Sequence, residues 1–390
     1  MKTLHQSPTD PAFVQNPYPF YETARAAGPF FHWADYGLTC TPNAAACNTI
    51  FRDRRFGREC PPELAPPIPP HLAPFYAVEA HSMLELEPPR HTRLRSLVLR
   101  AFTSRRITAL GPDITSLTHE LIDALPDGPF DLLKHFGQKL PVIIIARLLG
   151  VPEAMSDDLL RWSNAMVGMY MAGRTAETEA RAVAATESFV AFMRGYVEAR
   201  RADPRDDLIT SLIAAEEAGE KLSTDELITT CILLLNAGHE ATVHTIGNGV
   251  KTLLETGNSI TTETAETCIE EIFRFDPALH MFTRWAYTDV EVMGHSFKRG
   301  DQVGLLLAAA NRDPGVWDDP DQFQPLRTIK PNVTFGAGLH FCVGAPLARL
   351  ELQIALPILF ERLPGLHLTE APSYGDVYHF HGLTKLMVAR

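Results

Sequence analysis

The chain has 390 residues, 45% of them apolar, and a formal net charge of −12, which suits one large core and argues against nucleic acid as a partner. Six cysteines (Cys40, Cys47, Cys60, Cys231, Cys268, Cys342) without a CxxC pair point to a reducing cytosol rather than a disulfide framework. The opening residues, MKTLHQSPTDPAFVQ, lack the apolar run of a signal peptide or membrane anchor, so a cytoplasmic protein is expected.

Asn16-Pro-Tyr-Pro-Phe-Tyr21 leads into a short helix ending near Gly28-Pro29, and alternation over residues 37 to 58 suggests strands. Seven prolines between Cys60 and Tyr76 speak against a regular helix there, and the stretch reads as a loop. Pro88-Pro89 then opens a helix, because proline suits a first turn. Between Pro88 and Pro112 stand six arginines and no acidic residue, a local field opposite in sign to the chain. By itself this reads equally as a solvated basic face or as a binding surface. Residues 113 to 200 read as successive amphipathic helices. The methionine-rich run from Ser163 to Gly173 interrupts them, with core filling as the plainer reading.

Ser223-Thr-Asp-Glu226 is a capping box. It opens a helix to about Glu255, which at ~1.5 Å per residue spans about 50 Å. Leu227 to Leu235 is apolar all round, as a buried helix should be. Ala237-Gly238-His239-Glu240-Ala241-Thr242 follows. A carboxylate and a glycine inside a buried helix are costly unless they have work to do. Glu270-Glu271-Ile272-Phe273-Arg274 lies on the next helix, which Asp276-Pro277 ends. Ala286 to Leu307 alternates like strands, with turns at Met293-Gly294-His295 and Arg299-Gly300-Asp301. The tail, His379-Phe-His-Gly382-Leu383-Thr384, reads as a returning hairpin. Its two histidines hint at a metal, but ligand partners are missing from the sequence, so zinc is not expected.

Phe335-Gly-Ala-Gly-Leu-His-Phe-Cys342-Val-Gly344 is a glycine-rich loop, followed at once by the helix-like Ala345-Pro-Leu-Ala-Arg349-Leu-Glu-Leu. Cys342 stands just ahead of a helix N-terminus, where unpaired N–H groups favour a thiolate. Three readings compete for it: a buried structural cysteine, a phosphate-binding loop, or a thiolate ligand. The phosphate reading is weak, because no Lys-Ser/Thr pair follows.

FGAGLHFCVG followed by APLARLEL resembles the haem-binding loop and proximal helix of the cytochromes P-450, with Phe335 and Gly336 at their places before the cysteine. PPRHTRLR, the Ala237–Thr242 hexapeptide, Glu271-x-x-Arg274 and the segment around Arg327 are similar to that family's other motifs, in the same order, over residues 16 to 390. The resemblance implies a mainly α, triangular fold with a small β-rich region, forming a single haem domain over residues 1–390. Haem b would lie between the long distal helix and the cysteine loop, with Cys342 as its axial thiolate and metal ligand. His91, Arg95, Arg284 and His340 would meet its propionates, and Ala237 and Gly238 its distal face. Glu271, Arg274 and Arg327 would form a structural ion-pair network. Leu279, Met281, Phe282 and Leu383 would line the substrate pocket.

The implied reaction is insertion of one oxygen atom from O2 into a small or medium hydrophobic substrate, by hydroxylation or oxidative demethylation. Thiolate ligation favours the O–O cleavage this needs. Electrons would come from a separate ferredoxin and its NAD(P)H-dependent reductase, toward which the arginines around Arg95 could steer. One departure concerns the distal helix. The family's threonine follows the acid directly, but Ala241 holds that place and Thr242 comes one residue later, rotated by ~100°. Glu240, Ala241 and Thr242 are therefore the catalytic candidates. A water, a substrate hydroxyl or a local helix distortion would complete the proton path. Direct use of peroxide, without a reductase, is the alternative reading, and a haem sensor or carrier the non-enzymatic one.

Overall fold

One long helix, Thr224–Thr256, runs through the middle of the molecule and packs against the helices Lys139–Leu149, Ser156–Val167, Ala176–Ala202, Ala265–Phe275 and Ala345–Arg362. The computed structural model describes residues 1–171, 173–217, 222–375, 378 and 380–390. The capping box forms as the sequence predicts. Ser223 Oγ accepts from the Glu226 N–H at 3.2 Å, and a Glu226 carboxylate oxygen accepts from the Ser223 N–H at 2.9 Å. Gly257 ends the helix in the left-handed conformation, φ 66°. The helix is α throughout, including Gly238 to Thr242, so no local distortion rescues the displaced threonine.

The β-rich part is a six-stranded sheet in the order Lys2–Leu4, Phe31–Trp33, Leu38–Thr41, Gln302–Leu306, Met281–Ala286 and Phe56–Gly57. An aromatic cluster of Phe13, Tyr21, Phe31 and Trp33 packs around it. The turn at Met293-Gly294 has positive φ at both residues, 47° and 78°, and joins the short hairpin Val290–Val292 with His295–Phe297. These elements match a mainly α architecture with a small β region.

Two local expectations are corrected. Residues 44–52 form a helix rather than a strand, because the Asn43 side chain accepts from the Ala46 N–H and three alanines begin the first turn. The proline-rich stretch also gives way earlier than expected, to the helix Ala73–Glu79, whose Pro74 lies in the first turn where no N–H is missed. Among the described residues, no helix is long and apolar enough to cross a membrane.

Candidate functional site

The cysteine loop is built by close backbone approach. The Cys342 N–H donates to Phe335 O at 3.0 Å, closing the loop, and the Phe335 ring packs on Phe273 with centroids 4.8 Å apart. Gly336 and Gly338 adopt φ of 66° and 69°. At Gly338 any side chain would also collide with the Phe51 carbonyl, 2.2 Å from where its Cβ would stand. Behind Cys342 the helix Ala345–Arg362 begins, and the Gly344 and Ala345 N–H groups aim at the sulfur. The N–H groups of this helix end pull toward a thiolate as expected, but in the chain alone burial opposes them. Burial pushes the thiol up, and the two N–H groups with Arg95 and Arg349 only partly offset it. A thiolate here needs a further positive partner, which a coordinating metal supplies.

A second set of groups converges beside the loop. His91 is 1% exposed, its ring centroid lies 4.3 Å from that of His340, and its Nδ1 has no hydrogen-bond partner. Burial, with His340 and Arg95 nearby, pushes His91 down to about 4. Arg95 donates to Phe341 O at 2.6 Å, tying the helix Arg90–Ala101 to the cysteine loop. Arg284 is 3% exposed and donates to Thr283 O at 2.8 Å. Among the described residues it has no carboxylate within ion-pair distance, and burial followed by the field of Arg58 pushes it down to about 9. Two carboxylates are engaged nearby: Glu87 accepts from His340 Nε2 at 2.9 Å, and Glu85 pairs with Arg58. An orphaned imidazole nitrogen and a buried guanidinium with no carboxylate in ion-pair contact fit an anionic ligand, as two propionates would be.

On the facing helix, Ala237 is exposed although the turns before and after it are buried, so the helix presents an open face there. Gly238 points elsewhere. A Cβ at that position would lie 3.0 Å from Ile145 Cγ1, so its small size serves helix packing against Lys139–Leu149. Glu240 lies between two imidazoles: His239 Nε2 is 3.3 Å from Oε2, and His244 Nε2 is 3.4 Å from Oε1. Burial raises the Glu240 pKa, but these two histidines outweigh it and hold the carboxyl well below the usual range. Thr242 turns away, its hydroxyl 3.4 Å from Gly238 O, and Ala241 brings no polar group. The sequence reading missed both histidines, although His244 is visible as an (i, i+4) neighbour of Glu240.

The ion-pair network forms as the resemblance implied. Arg274 donates to both Glu271 oxygens, at 2.7 and 2.8 Å, and Arg327 Nε to Oε1 at 3.1 Å. Arg274 also donates to the carbonyls of Asn311, Pro320 and Gln322, which fixes the segment leading into the cysteine loop. The pocket candidates divide. Leu279 is half-buried and bridges to Phe380, while Phe282 is half-buried near Gly336, 3.8 Å from that residue's Cβ position. Met281, 1% exposed, sits in the aromatic cluster under the sheet, and Leu383 packs on Gly247 in the main core. Those two therefore fill cores instead of lining an open face. Met166 and Met169, in the methionine-rich run, are core as well.

Glu351, on the helix behind Cys342, was also missed. It is 1% exposed with neither oxygen hydrogen-bonded, and burial pushes its carboxyl up to about 8. From about pH 4.5 to pH 8 the folded state keeps a proton that the unfolded chain has released. Its stabilising effect is thus full below that window and is lost as pH rises through it. Glu351→Gln is expected to flatten this slope, read from thermal midpoints at both ends of the window; an unchanged slope would contradict the assignment.

The fold and these two converging sets of residues are of the kind that the resemblance implies for holding a haem. A cytochrome P450 family profile matches residues 263–365. The biotin biosynthesis cytochrome P450 of Bacillus subtilis (strain 168) is 32% identical over 402 residues, covering 99% of each chain. The polyketide biosynthesis cytochrome P450 PksS of the same organism is 38% identical over 297 residues, 74% of this chain and 72% of the relative. P450BioI, solved in complex with hexadec-9Z-enoic acid ligated acyl carrier protein, superposes with a TM-score of 0.90 at 32% identity over 97% of this chain and 99% of that one. The chain belongs to the cytochrome P450 family, and its enzyme class is that of a cytochrome P450 monooxygenase.

Proposed function

We propose that residues 1–390 form one haem domain that oxidises a small or medium hydrophobic molecule with O2, using electrons from a ferredoxin and its NAD(P)H-dependent reductase. Bound haem b supplies the oxygen activation, and the protein supplies ligation, orientation and protons. Cys342 Sγ would ligate the iron, with His91, Arg95, Arg284 and His340 receiving the propionates. The single observation that carries this reading is the pairing of the cysteine loop with Arg284, buried and out of ion-pair contact, and the orphaned His91 nitrogen.

Glu240 and its two histidines support proton delivery that does not depend on the absent threonine. His239 Nδ1 lies 2.8 Å from Leu235 O and donates to it, so Nε2 can donate to Glu240 only as an imidazolium. A proton held at His239 or His244 Nε2 can therefore pass to a Glu240 oxygen, and from there to the open face at Ala237. Arg93 and Arg106 are paired with Glu226 and Asp206 respectively, which leaves less of the basic run for steering a ferredoxin than its sequence suggests.

Ala241 favours a second reading, direct use of hydrogen peroxide. Turnover of a ligand found by Soret shift, measured with ferredoxin, reductase and NAD(P)H and separately with hydrogen peroxide, distinguishes the two. Polyketide-like and long-chain fatty acyl ligands, free or on a carrier protein, are the first to screen, since relatives are named for such chemistry. Faster product formation with the ferredoxin system is expected. Product with peroxide alone would overturn the ferredoxin assignment.

A further inference from the structure

A second cluster of metal-type ligands lies at the end of the helix Ala265–Phe275, away from the cysteine loop in sequence. Asp276, His280 and His381 are 5%, 0% and 5% exposed. One ligand atom from each lies within 4.8 Å of the other two. Asp276 Oδ1 is 3.5 Å from His381 Nε2 and 3.9 Å from His280 Nε2. Ligands ~2.0–2.2 Å from a tetrahedral zinc stand roughly 3.3–3.6 Å apart, so the Asp276–His381 separation already fits and the Asp276–His280 separation is only a few tenths of an ångström too long. His280 Nε2 is fully buried and has no hydrogen-bond partner, an unexplained orphan aimed into the cluster.

The surroundings are those of a supported ligand set. The other His280 nitrogen, Nδ1, is 2.8 Å from the Tyr21 hydroxyl, which fixes the ring and leaves Nε2 facing inward. Tyr18 donates to Asp276 Oδ1 at 2.8 Å and Tyr374 to Oδ2, so the carboxylate is oriented from both sides. The His381 ring stacks on Tyr374 with centroids 3.6 Å apart. One amide, Asn248 Nδ2, holds the carbonyls of both Asp276 and His381, at 3.2 and 2.8 Å. Two cations reach toward the cluster, and each is already engaged: Arg312 with Phe275 O and Asp321, and Lys251 with Glu255.

We propose that Asp276, His280 and His381 bind one zinc ion, with water as fourth ligand, clamping the C-terminal turn to the helix Ala265–Phe275 and the strand Met281–Ala286. A borderline cation suits two imidazoles and one carboxylate better than magnesium or calcium does. The sequence hinted at His381 but could not supply partners that lie about a hundred residues earlier; His379 lies outside the described residues. The site does not depend on which substrate or reductant the enzyme uses.

The test uses the full-length, haem-loaded protein, stripped with a chelator and titrated with zinc chloride. Elemental analysis against haem iron is expected to give one zinc per chain, with a rise in thermal midpoint that saturates at that ratio. His280→Gln and His381→Gln are each expected to lose the zinc and the rise while keeping haem. No zinc above background in the native chain, with an unmoved midpoint, overturns the proposal. Zinc retained at one per chain in the double variant overturns it as well. If the variants fold poorly, the titration of the native chain decides alone, because a dry hydrogen-bonded cluster gives no saturable shift.

Discussion

Arg274→Ala is expected to destabilise the protein by ~3–5 kcal/mol, the range for removing one partner of a buried ion pair. Both side chains of the Arg274–Glu271 pair are 1% exposed, so the carboxylate keeps Arg327 and the Gln324 N–H on Oε1 while Oε2 has no water to turn to. The carbonyls of Asn311 and Pro320 lose their donor at the same time, and that of Gln322 keeps only Arg327 Nη2. Arg327→Ala should cost less, because its side chain is 9% exposed and Arg274 stays in place for Glu271. Denaturant unfolding of the two single variants and the double variant tests this. The pair shares one carboxylate, so their effects should not add. Haem content should fall with stability, since the same carbonyls hold the segment that leads into the cysteine loop. Equal and small losses for both arginines would show that the network is not what holds that segment.

Glu240→Gln is expected to lower turnover by ~100-fold or more, the usual contribution of a positioned acid–base group. Haem content and the carbon monoxide spectrum should not change, because the side chain touches neither the cysteine loop nor the basic cluster. The amide cannot accept a proton from His239 or His244, whereas the carboxylate held between them can. Electrons drawn from the reductant should then appear as released peroxide instead of product. Comparing product formed with reductant consumed measures this directly. Unchanged turnover and coupling would remove Glu240 from the proton path and leave water or substrate to serve it.

What could be read from the sequence was what the chain encodes locally. The capping box at Ser223, the apolar run after it and the proline start before Arg90 each act within a few residues, and each predicted its helix. The Glu271–Arg274 pair could be read because three residues is one helical turn. The helix Ala44–Arg52 was missed because its mixed apolar pattern mimics strand alternation, and the cap at Asn43 was the overlooked signal. Met281 and Leu383 were misplaced because proximity along the chain says nothing about which face of a strand a side chain takes. At Cys342 the helix end is visible in sequence, whereas the burial that opposes its pull is not. The Asp276–His280–His381 cluster joins an (i, i+4) pair to a distant histidine, which only folding brings together.

The reduced, carbon monoxide-bound absorption spectrum of the native chain beside Cys342→Ser tests the sulfur–iron bond on which the enzyme assignment rests. The native protein should show the red-shifted Soret band of thiolate ligation, and the serine variant should lose that band even where haem stays bound. A thiolate band that survives in Cys342→Ser, or is missing from haem-loaded native protein, would contradict the account.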